Sequence, residues 1–444
     1  MLKKIIFIIL AFYLPFLGAQ DTLKLNLDKS IDLALIKNHD LKIAKLEYER
    51  AEELITEAFG LSVLPEIKGI INYRRAIMRG EIILELPGFS GSFPQGTINT
   101  FTIGASLEQP LFTGAIFYAT RISKVYAEIS EKGYYSSQAN LIKNVKRTYY
   151  AYLLAKEFKN LSIVTLKAAE DNLKNSKALF EAGIAPEYDF IRSKVQVQNI
   201  LPEVEQAINS IKVAKNSLRY ILGLDLEQPF IIEDSLVFTE LTTDDYETSS
   251  KIMNNQNFTL QQLKLQIELQ DKAVSYEFSK HFPELFLTGN WQATAQENDR
   301  GFSRWRYINS VFVGLNLKVP IFNGFQTTSR VQQAKIDLMK AEEEFVKTDQ
   351  LFKNQLDNLL LRIEETKNKI SAYAATINEA QLGYDISVKR YTNGLGTQLE
   401  NIDALVALTR SKINYLDAIF TYYDLHANLE ALLASEVKVV IQSD

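Results

Sequence analysis

The sequence predicts a mainly α-helical chain with a small β part, built as a tandem duplication. Three observations predict it. Short motifs recur in the same order at offsets of 210 to 219 residues. Two stretches of nearly 70 residues each contain one glycine and no proline. Four short segments alternate apolar and polar side chains. A repeated unit sets the architecture before any single element does, and the other two patterns are those of long helices and half-buried strands.

At the N-terminus, Lys3 and Lys4 precede an apolar run from Ile5 to Leu17, and Leu17-Gly18-Ala19 offers a small-residue cleavage site before Gln20. Residues 1–19 therefore read as a secretory signal peptide. Its removal takes the formal net charge of −5 to −7 by loss of the two lysines. The remaining positive residues are scattered, which argues against a nucleic-acid partner. The chain has no cysteine, so disulfides, thiol chemistry and a lipidated N-terminal cysteine are excluded. No later stretch reaches the roughly 20 apolar residues of a membrane-spanning helix. If the chain spans a membrane, it does so with strands.

The first repeat is expected over 20–222 and the second over 251–435. Leu41-Lys42-Ile43-Ala44-Lys45-Leu46 returns as Leu260-Gln261-Gln262-Leu263-Lys264-Leu265, and Leu64-Pro65-Glu66-Ile67 as Phe282-Pro283-Glu284-Leu285. Gln109-Pro110-Leu111-Phe112-Thr113-Gly114 returns as Val319-Pro320-Ile321-Phe322-Asn323-Gly324. Phe180-Glu181-Ala182-Gly183-Ile184 returns as Tyr391-Thr392-Asn393-Gly394-Leu395.

Each repeat opens with a helix, Asp28 to Ser62 in the first and about Leu260 to Lys280 in the second, followed by two strands. These are expected at 65–76 and 98–110, then at 283–295 and 308–320. Ile67, Gly69, Ile71 and Tyr73 share a face, as do Phe101, Ile103, Ala105 and Leu107, and Val311, Val313, Leu315 and Leu317. Long helices follow at 115–182 and 325–393. At 1.5 Å per residue each is about 100 Å long, beyond the needs of a globular core. Apolar positions three and four apart (Leu356, Leu359, Ile363, Ile370, Tyr373, Ile377; Leu141, Val145, Tyr149, Tyr152) give coiled-coil seams. Gly183 and Gly394 stop these helices. Returning helices are expected at 187–222, where Pro202 should bend or break the chain, and at 397–435, where Thr397 and Glu400 have capping-box spacing. Each Pro-aliphatic-Phe-x-Gly then sits where strand hands over to long helix, with Pro ending the ladder and Gly redirecting the backbone.

Backbone groups in hydrocarbon must all be paired, so spanning strands must close into a barrel. Bacterial single-chain barrels begin at about eight strands. Four are too few, and several chains would have to share one barrel. Both tryptophans, Trp291 and Trp305, lie in or beside the strands with Tyr307 and Phe312 close by, as aromatic residues do at membrane interfaces. The alternatives are a soluble sheet with an aromatic core, or a periplasmic coiled-coil scaffold whose strands never enter a membrane.

These features resemble the TolC-type outer-membrane efflux and secretion channels of Gram-negative bacteria. The resemblance rests on Leu25-Asn26-Leu27-Asp28-Lys29-Ser30-Ile31-Asp32-Leu33-Ala34-Leu35, both Pro-aliphatic-Phe-x-Gly junctions, and the pairs Phe180 with Gly183 and Tyr391 with Gly394. It implies a homotrimer: four strands per chain in a twelve-stranded transmembrane β-barrel, and coiled helices in a periplasmic α-barrel. It further implies a belt at the tunnel's waist from 223–250 and the tail 436–444. The partners implied are outer-membrane lipid and a periplasmic adaptor leading to an inner-membrane pump, with no cofactor, no metal and no catalysis.

The chain offers no catalytic constellation, and His39, His281 and His426 are far apart and read as surface or interface residues. Ile103, Leu107, Trp291, Val311, Val313, Leu315 and Leu317 are the expected membrane-facing residues. From spacing alone, Glu400 caps its helix through Thr397 and Asp403 is solvated. The resemblance implies instead that Glu400 and Asp403 ring the closed periplasmic entrance. It likewise implies a tip latch from Asp189 and Tyr391. Gly396, however, stands where family members can carry an arginine of that latch. Ala182, Gly183 and Ile184, with Asn393, Gly394 and Leu395, match the tips that meet the adaptor; as plain helix-turn glycines Gly183 and Gly394 need no partner.

Overall fold

The structure is a computed structural model that describes residues 22–301 and 304–437. The expected signal peptide and the last seven residues of the expected tail lie outside the described residues. The chain forms two compact units by its internal contacts. One draws on residues up to Ala44, Tyr135–Asn257 and the segment from Gln350, the other on Lys45–Tyr134 and Phe258–Asp349.

In chain order the elements are β1 (Leu23–Leu25), α1 (Leu27–Lys37), α2 (His39–Val63), β2 (Glu66–Arg75), β3 (Glu81–Leu86), β4 (Phe89–Pro94), β5 (Asn99–Phe112), α3 (Gly114–Glu181) and α4 (Glu187–Ile221). The remaining elements, those of the 223–250 segment and of the second repeat, are β6 (Phe230–Ile232), α5 (Tyr246–Gln256), α6 (Phe258–Ser279), β7 (Glu284–Glu297), β8 (Tyr307–Lys318), α7 (Gln326–Thr392) and α8 (Gln398–Leu433). The long helices α3 and α7 have 68 and 67 residues. The α7 seam is buried as heptad spacing requires, with Leu356, Ile363 and Ile370 under 5% exposed.

Duplication extends to hydrogen bonds. The opening helix expected as one piece is two, because Asn38 turns the chain between α1 and α2 with ψ of 132°. Its Oδ1 accepts from Leu41 N–H at 3.0 Å, and its Nδ2 donates to Ile221 O, at the end of α4, at 3.0 Å. Asn257 repeats the arrangement between α5 and α6, donating to Leu432 O at the end of α8 at 2.8 Å. An asparagine can cap the following helix and satisfy an orphan carbonyl of another at once.

Two interruptions expected at prolines do not occur, for identifiable reasons. Pro202 does not break α4, which runs through it. Ile200 and Val204, on either side, are buried in an apolar cluster with Ala169 and Leu405, and this burial outweighs one missing helix bond. Pro110 does not end its ladder either. β5 pairs through Pro110 with Phe286 and absorbs the proline in a bulge before Phe112, whereas β8 does stop before Pro320. The two junction glycines also differ. A Cβ at Gly114 would overlap Ser279 Oγ, so Gly114 permits a close approach; Gly324 adopts a left-handed φ of 62°.

The segment between β6 and α5 lacks regular structure but is held at many points. β6 pairs in parallel with β1. Tyr149 donates to the Asp234 carboxylate, and Lys156 Nζ donates to Asp234 O at 2.9 Å. Tyr423 donates to Val237 O at 2.8 Å and accepts from Thr239 N–H at 3.0 Å, while Tyr422 accepts from Leu241 N–H at 2.9 Å. Beside these tyrosines Lys146 donates to Glu430 at 2.6 Å and Glu436 at 2.5 Å. Burial raises the Glu430 carboxyl.

His426 is not a surface residue. It is 4% exposed, lies against the Tyr422 ring at 4.5 Å, and its Nε2 has no hydrogen-bond partner. Burial, and then the Lys146 ammonium, depress the imidazole to about 4. A histidine depressed below its unfolded value stabilises the fold above about pH 6.5, and that contribution is lost as pH falls toward 4. The loss amounts to at most about 3 kcal/mol per chain. Melting temperature measured from pH 7 to pH 4 should therefore fall less steeply in His426→Leu than in the wild type; parallel curves would mean that His426 does not titrate on unfolding.

Candidate functional site

Two regions concentrate unusual chemistry, one in each compact unit. The first is the four-stranded sheet, ordered β2-β5-β7-β8 with every neighbouring pair antiparallel. Its register brings the seven expected membrane-facing residues onto one face. Ile71, Ile103 and Ala293 stand in one row; Gly69, Ala105, Trp291 and Val311 in the next; Ile67, Leu107, Gly289 and Val313 in the third. Leu315 and Leu317 continue that face opposite Leu287 and Leu285. Val311, Val313, Leu315 and Leu317 are 61–77% exposed. The other face carries Lys68, Asn72, Thr102, Ser106, Glu108, Asn290, Gln292 and Thr294.

Not every aromatic residue follows. Phe312 falls on the polar face, level with Asn290. Trp305 is 5% exposed, stacks on Tyr73 and donates from Nε1 to Asp299 at 2.8 Å, so it fastens a loop and does not face outward. β2 and β8 are the sheet's outer strands. Beyond β2 the chain forms a hairpin, β3 with β4, which the alternation at 81–94 could have revealed.

The second region is where the long helices end. Gly183 and Gly394 have φ of 73° and 70°. Gly183 N–H donates to Phe180 O at 2.9 Å and Ile184 N–H to Leu179 O at 2.9 Å; Gly394 N–H and Leu395 N–H repeat this with Tyr391 O and Arg390 O. This is a Schellman ending, which needs a left-handed residue. Ala182, Gly183, Ile184, Asn393, Gly394 and Leu395 are all exposed, with Ile184 at 66% and Leu395 at 73%.

Thr397 caps α8 by accepting from Glu400 N–H at 3.2 Å. Glu400 and Asp403 are both exposed on α8. The Glu400 carboxylate is not alone: Arg390 Nη2 lies 3.9 Å away and donates to Leu395 O at 3.1 Å. A Cβ at Gly396 would stand 3.1 Å from Arg390 Cβ and 3.2 Å from Glu400 Oε2. The missing side chain at 396 thus leaves room for Arg390, a residue that sequence reasoning passed over.

Tyr391 and Asp189 lie near one another without a hydrogen bond. Tyr391 is 3% exposed and its hydroxyl has no partner; burial, and then the Asp189 carboxylate, push the phenol up to about 12. Sequence reasoning also missed the buried polar side chains behind the tips. Gln398 Nε2 donates to Ser193 Oγ at 2.6 Å, and Asn401 Nδ2 to Asn172 Oδ1 at 2.9 Å. Among the described residues no group of three or more His, Cys, Asp or Glu could hold a metal ion, and no helix is long and apolar enough to cross a membrane.

An unpartnered buried hydroxyl contributes little or costs stability. Tyr391→Phe should melt within about 2 °C of the wild type or above it; a clearly lower melting temperature would show a hydrogen bond that this conformation lacks.

Comparison with known proteins adds a family to this geometry. The family model described as outer membrane efflux protein matches residues 30–224 and 251–435, one match in each repeat. The outer membrane protein TolC of Vibrio cholerae is 23% identical over 70% of this chain and 73% of its own length. TolC of Escherichia coli is 22% identical over 92% of this chain and 82% of its own length. The Campylobacter jejuni CmeC outer membrane channel has the same fold, with a TM-score of 0.77 and 19% identity over 94% of this chain and 87% of that one. With matches over most of both repeats, the chain belongs to the outer membrane efflux protein family.

Proposed function

We propose that three copies of this chain form a passive outer-membrane channel, the exit duct of a tripartite efflux pump or type I secretion system. One observation carries the reading: a four-stranded sheet with an exposed apolar face and two outer strands, in a chain whose helices reach about 100 Å. Each Val or Leu moved from water into hydrocarbon stabilises by roughly 1.5–3 kcal/mol. The strand edges can enter lipid only if paired. Pairing β8 of one copy with β2 of the next closes three sheets into twelve antiparallel strands, an even number within the range of bacterial barrels.

In that assembly the exposed tips at Ala182-Gly183-Ile184 and Asn393-Gly394-Leu395 are the docking surface for a periplasmic adaptor, through which an inner-membrane pump supplies the energy. Asp189 and Tyr391 form the tip latch in the closed state, and the segment 223–250 with the tail 436–444 makes the belt. Six carboxylates, Glu400 and Asp403 from each copy, line the periplasmic constriction and favour cations. Arg390 offsets part of the Glu400 charge, weakly because the pair is exposed. Asp403 therefore carries more of the uncompensated charge.

Purified protein in a planar bilayer tests this. Small, cation-selective currents blocked by divalent cations are expected, with block weakened more by Asp403→Asn than by Glu400→Gln and abolished when both are changed. Unchanged currents in the double variant would remove the carboxylate gate. A folded wild-type protein that never inserts would remove the channel and favour a periplasmic scaffold.

A further inference from the structure

The strands and connecting loops of the sheet, residues 66–112 and 284–318, contain six arginines, and all six lie at one end. Arg74, Arg75 and Arg79 stand at and just after the end of β2; Arg300, Arg304 and Arg306 stand in the loop that leads into β8. Across 74–80 and 298–306 the only acidic residue is Asp299, and its carboxylate already accepts from Trp305 Nε1 at 2.8 Å and from Gly301 N–H at 3.1 Å. The sheet's ion pairs, Lys68 with Glu66 and Lys318 with Glu284, lie at the opposite end, beside the helices. Among the described residues none of the six arginines forms an ion pair.

Where these guanidiniums are held, neutral groups hold them. Arg75 Nη1 donates to Asn99 Oδ1 at 3.0 Å, and the Tyr73 hydroxyl donates to the same atom at 2.9 Å. Arg79 Nη1 donates to Gly96 O at 3.3 Å and to Asn298 Oδ1 at 3.4 Å, which joins the two loops. Asn99 Nδ2 adds a second link by donating to Asp299 O at 2.6 Å. A neutral acceptor orients a guanidinium and leaves its charge uncompensated. Register fixes the level of this end. Tyr73, Phe101, Ala295 and Tyr307 form the last full row of the apolar face, and Arg75 is two residues, about 7 Å, beyond it. Between Arg75 and Arg79 the side chains of Ile77 and Met78 are almost wholly exposed.

We propose that this end of the sheet is a basic collar that binds the phosphate groups of anionic glycolipid in the outer leaflet of the membrane. Its place in that leaflet rests on the channel reading above, which puts the helices in the periplasm and the arginine end outside; its charge and geometry do not. Aromatic side chains settle at the level of lipid headgroups, so the row of Tyr73, Phe101 and Tyr307 sets the depth and the arginines beyond it reach the phosphates. A guanidinium is planar, always charged, and meets a phosphate with two parallel hydrogen bonds. It thereby replaces the divalent cations that otherwise neutralise such headgroups. A soluble polyanion would give Ile77 and Met78 no apolar partner, whereas the boundary between headgroups and acyl chains does.

Titration of the purified full-length protein in detergent with bisphosphorylated lipid A, bound lipid being counted by native mass spectrometry, tests the collar. The wild type should bind this lipid more tightly than the same lipid freed of its phosphates, and excess magnesium or high salt should remove the preference. Arg300→Gln with Arg304→Gln, both exposed and without side-chain hydrogen bonds among the described residues, should weaken binding about thirtyfold, the effect of removing two basic residues from an anionic surface. Lys68→Gln with Lys318→Gln, at the opposite end, should leave it unchanged. Equal affinity for the two lipids, an unchanged affinity in the arginine variant, or an equal loss in the lysine variant overturns the collar. Displacement of the lipid by millimolar inorganic phosphate also overturns it, in favour of a site for the free ion. Protein that discriminates the phosphates but never conducts in a planar bilayer upholds the collar and fails the channel reading; protein that conducts without discriminating does the reverse.

Discussion

A sheet of four strands has two edges, and here no strand among the described residues pairs with the outer side of β2 or of β8. An apolar face that also has open edges is stable neither in water, where it aggregates, nor in lipid, where unpaired amides and carbonyls cost several kcal/mol each. Sharing the edges between copies removes both penalties. The rest of the chain is consistent with that constraint. Long helices need coiled neighbours to bury their seams, and in the proposed channel each chain would supply part of the barrel and part of a helical tunnel.

Much of this was legible in the sequence because it depends on periodicity. Alternation placed strands at 98–110 and 308–320, against 99–112 and 307–318 in the structure, and gave their faces; proline-free runs located α3 and α7 within a residue or two. Heptad seams such as Leu356, Ile363 and Ile370 could be read for the same reason. Asn38 and Asn257 were harder. Each ends one helix and begins the next, and its value lies in a bond to a carbonyl 183 or 175 residues away. Local pattern holds no record of such a bond. Pro202 and Pro110 misled because a local rule was overridden, once by burial of the flanking Ile200 and Val204 and once by a bulge.

The tips show a different limit. Resemblance drew attention to Tyr391, Asp189 and Gly396, positions defined by what related proteins carry. The chain's own solution lies beside them: Arg390 fills the space at Gly396, and Gln398, Asn401, Asn172 and Ser193 fill seam positions where apolar side chains would be usual. Polar residues at three- and four-residue spacing next to an apolar seam were a usable signal. Reading it required knowing which helices face one another.

The most direct test of the shared barrel is cross-linking between copies in outer membranes. Single cysteines placed in turn from Ile67 to Tyr73 on β2 would be combined with Val313→Cys on β8, in a chain with no cysteine of its own. Antiparallel pairing between neighbouring copies predicts disulfide-linked ladders up to a covalent trimer, confined to one register. Monomer at every position, in protein that is folded and membrane-bound, would contradict it.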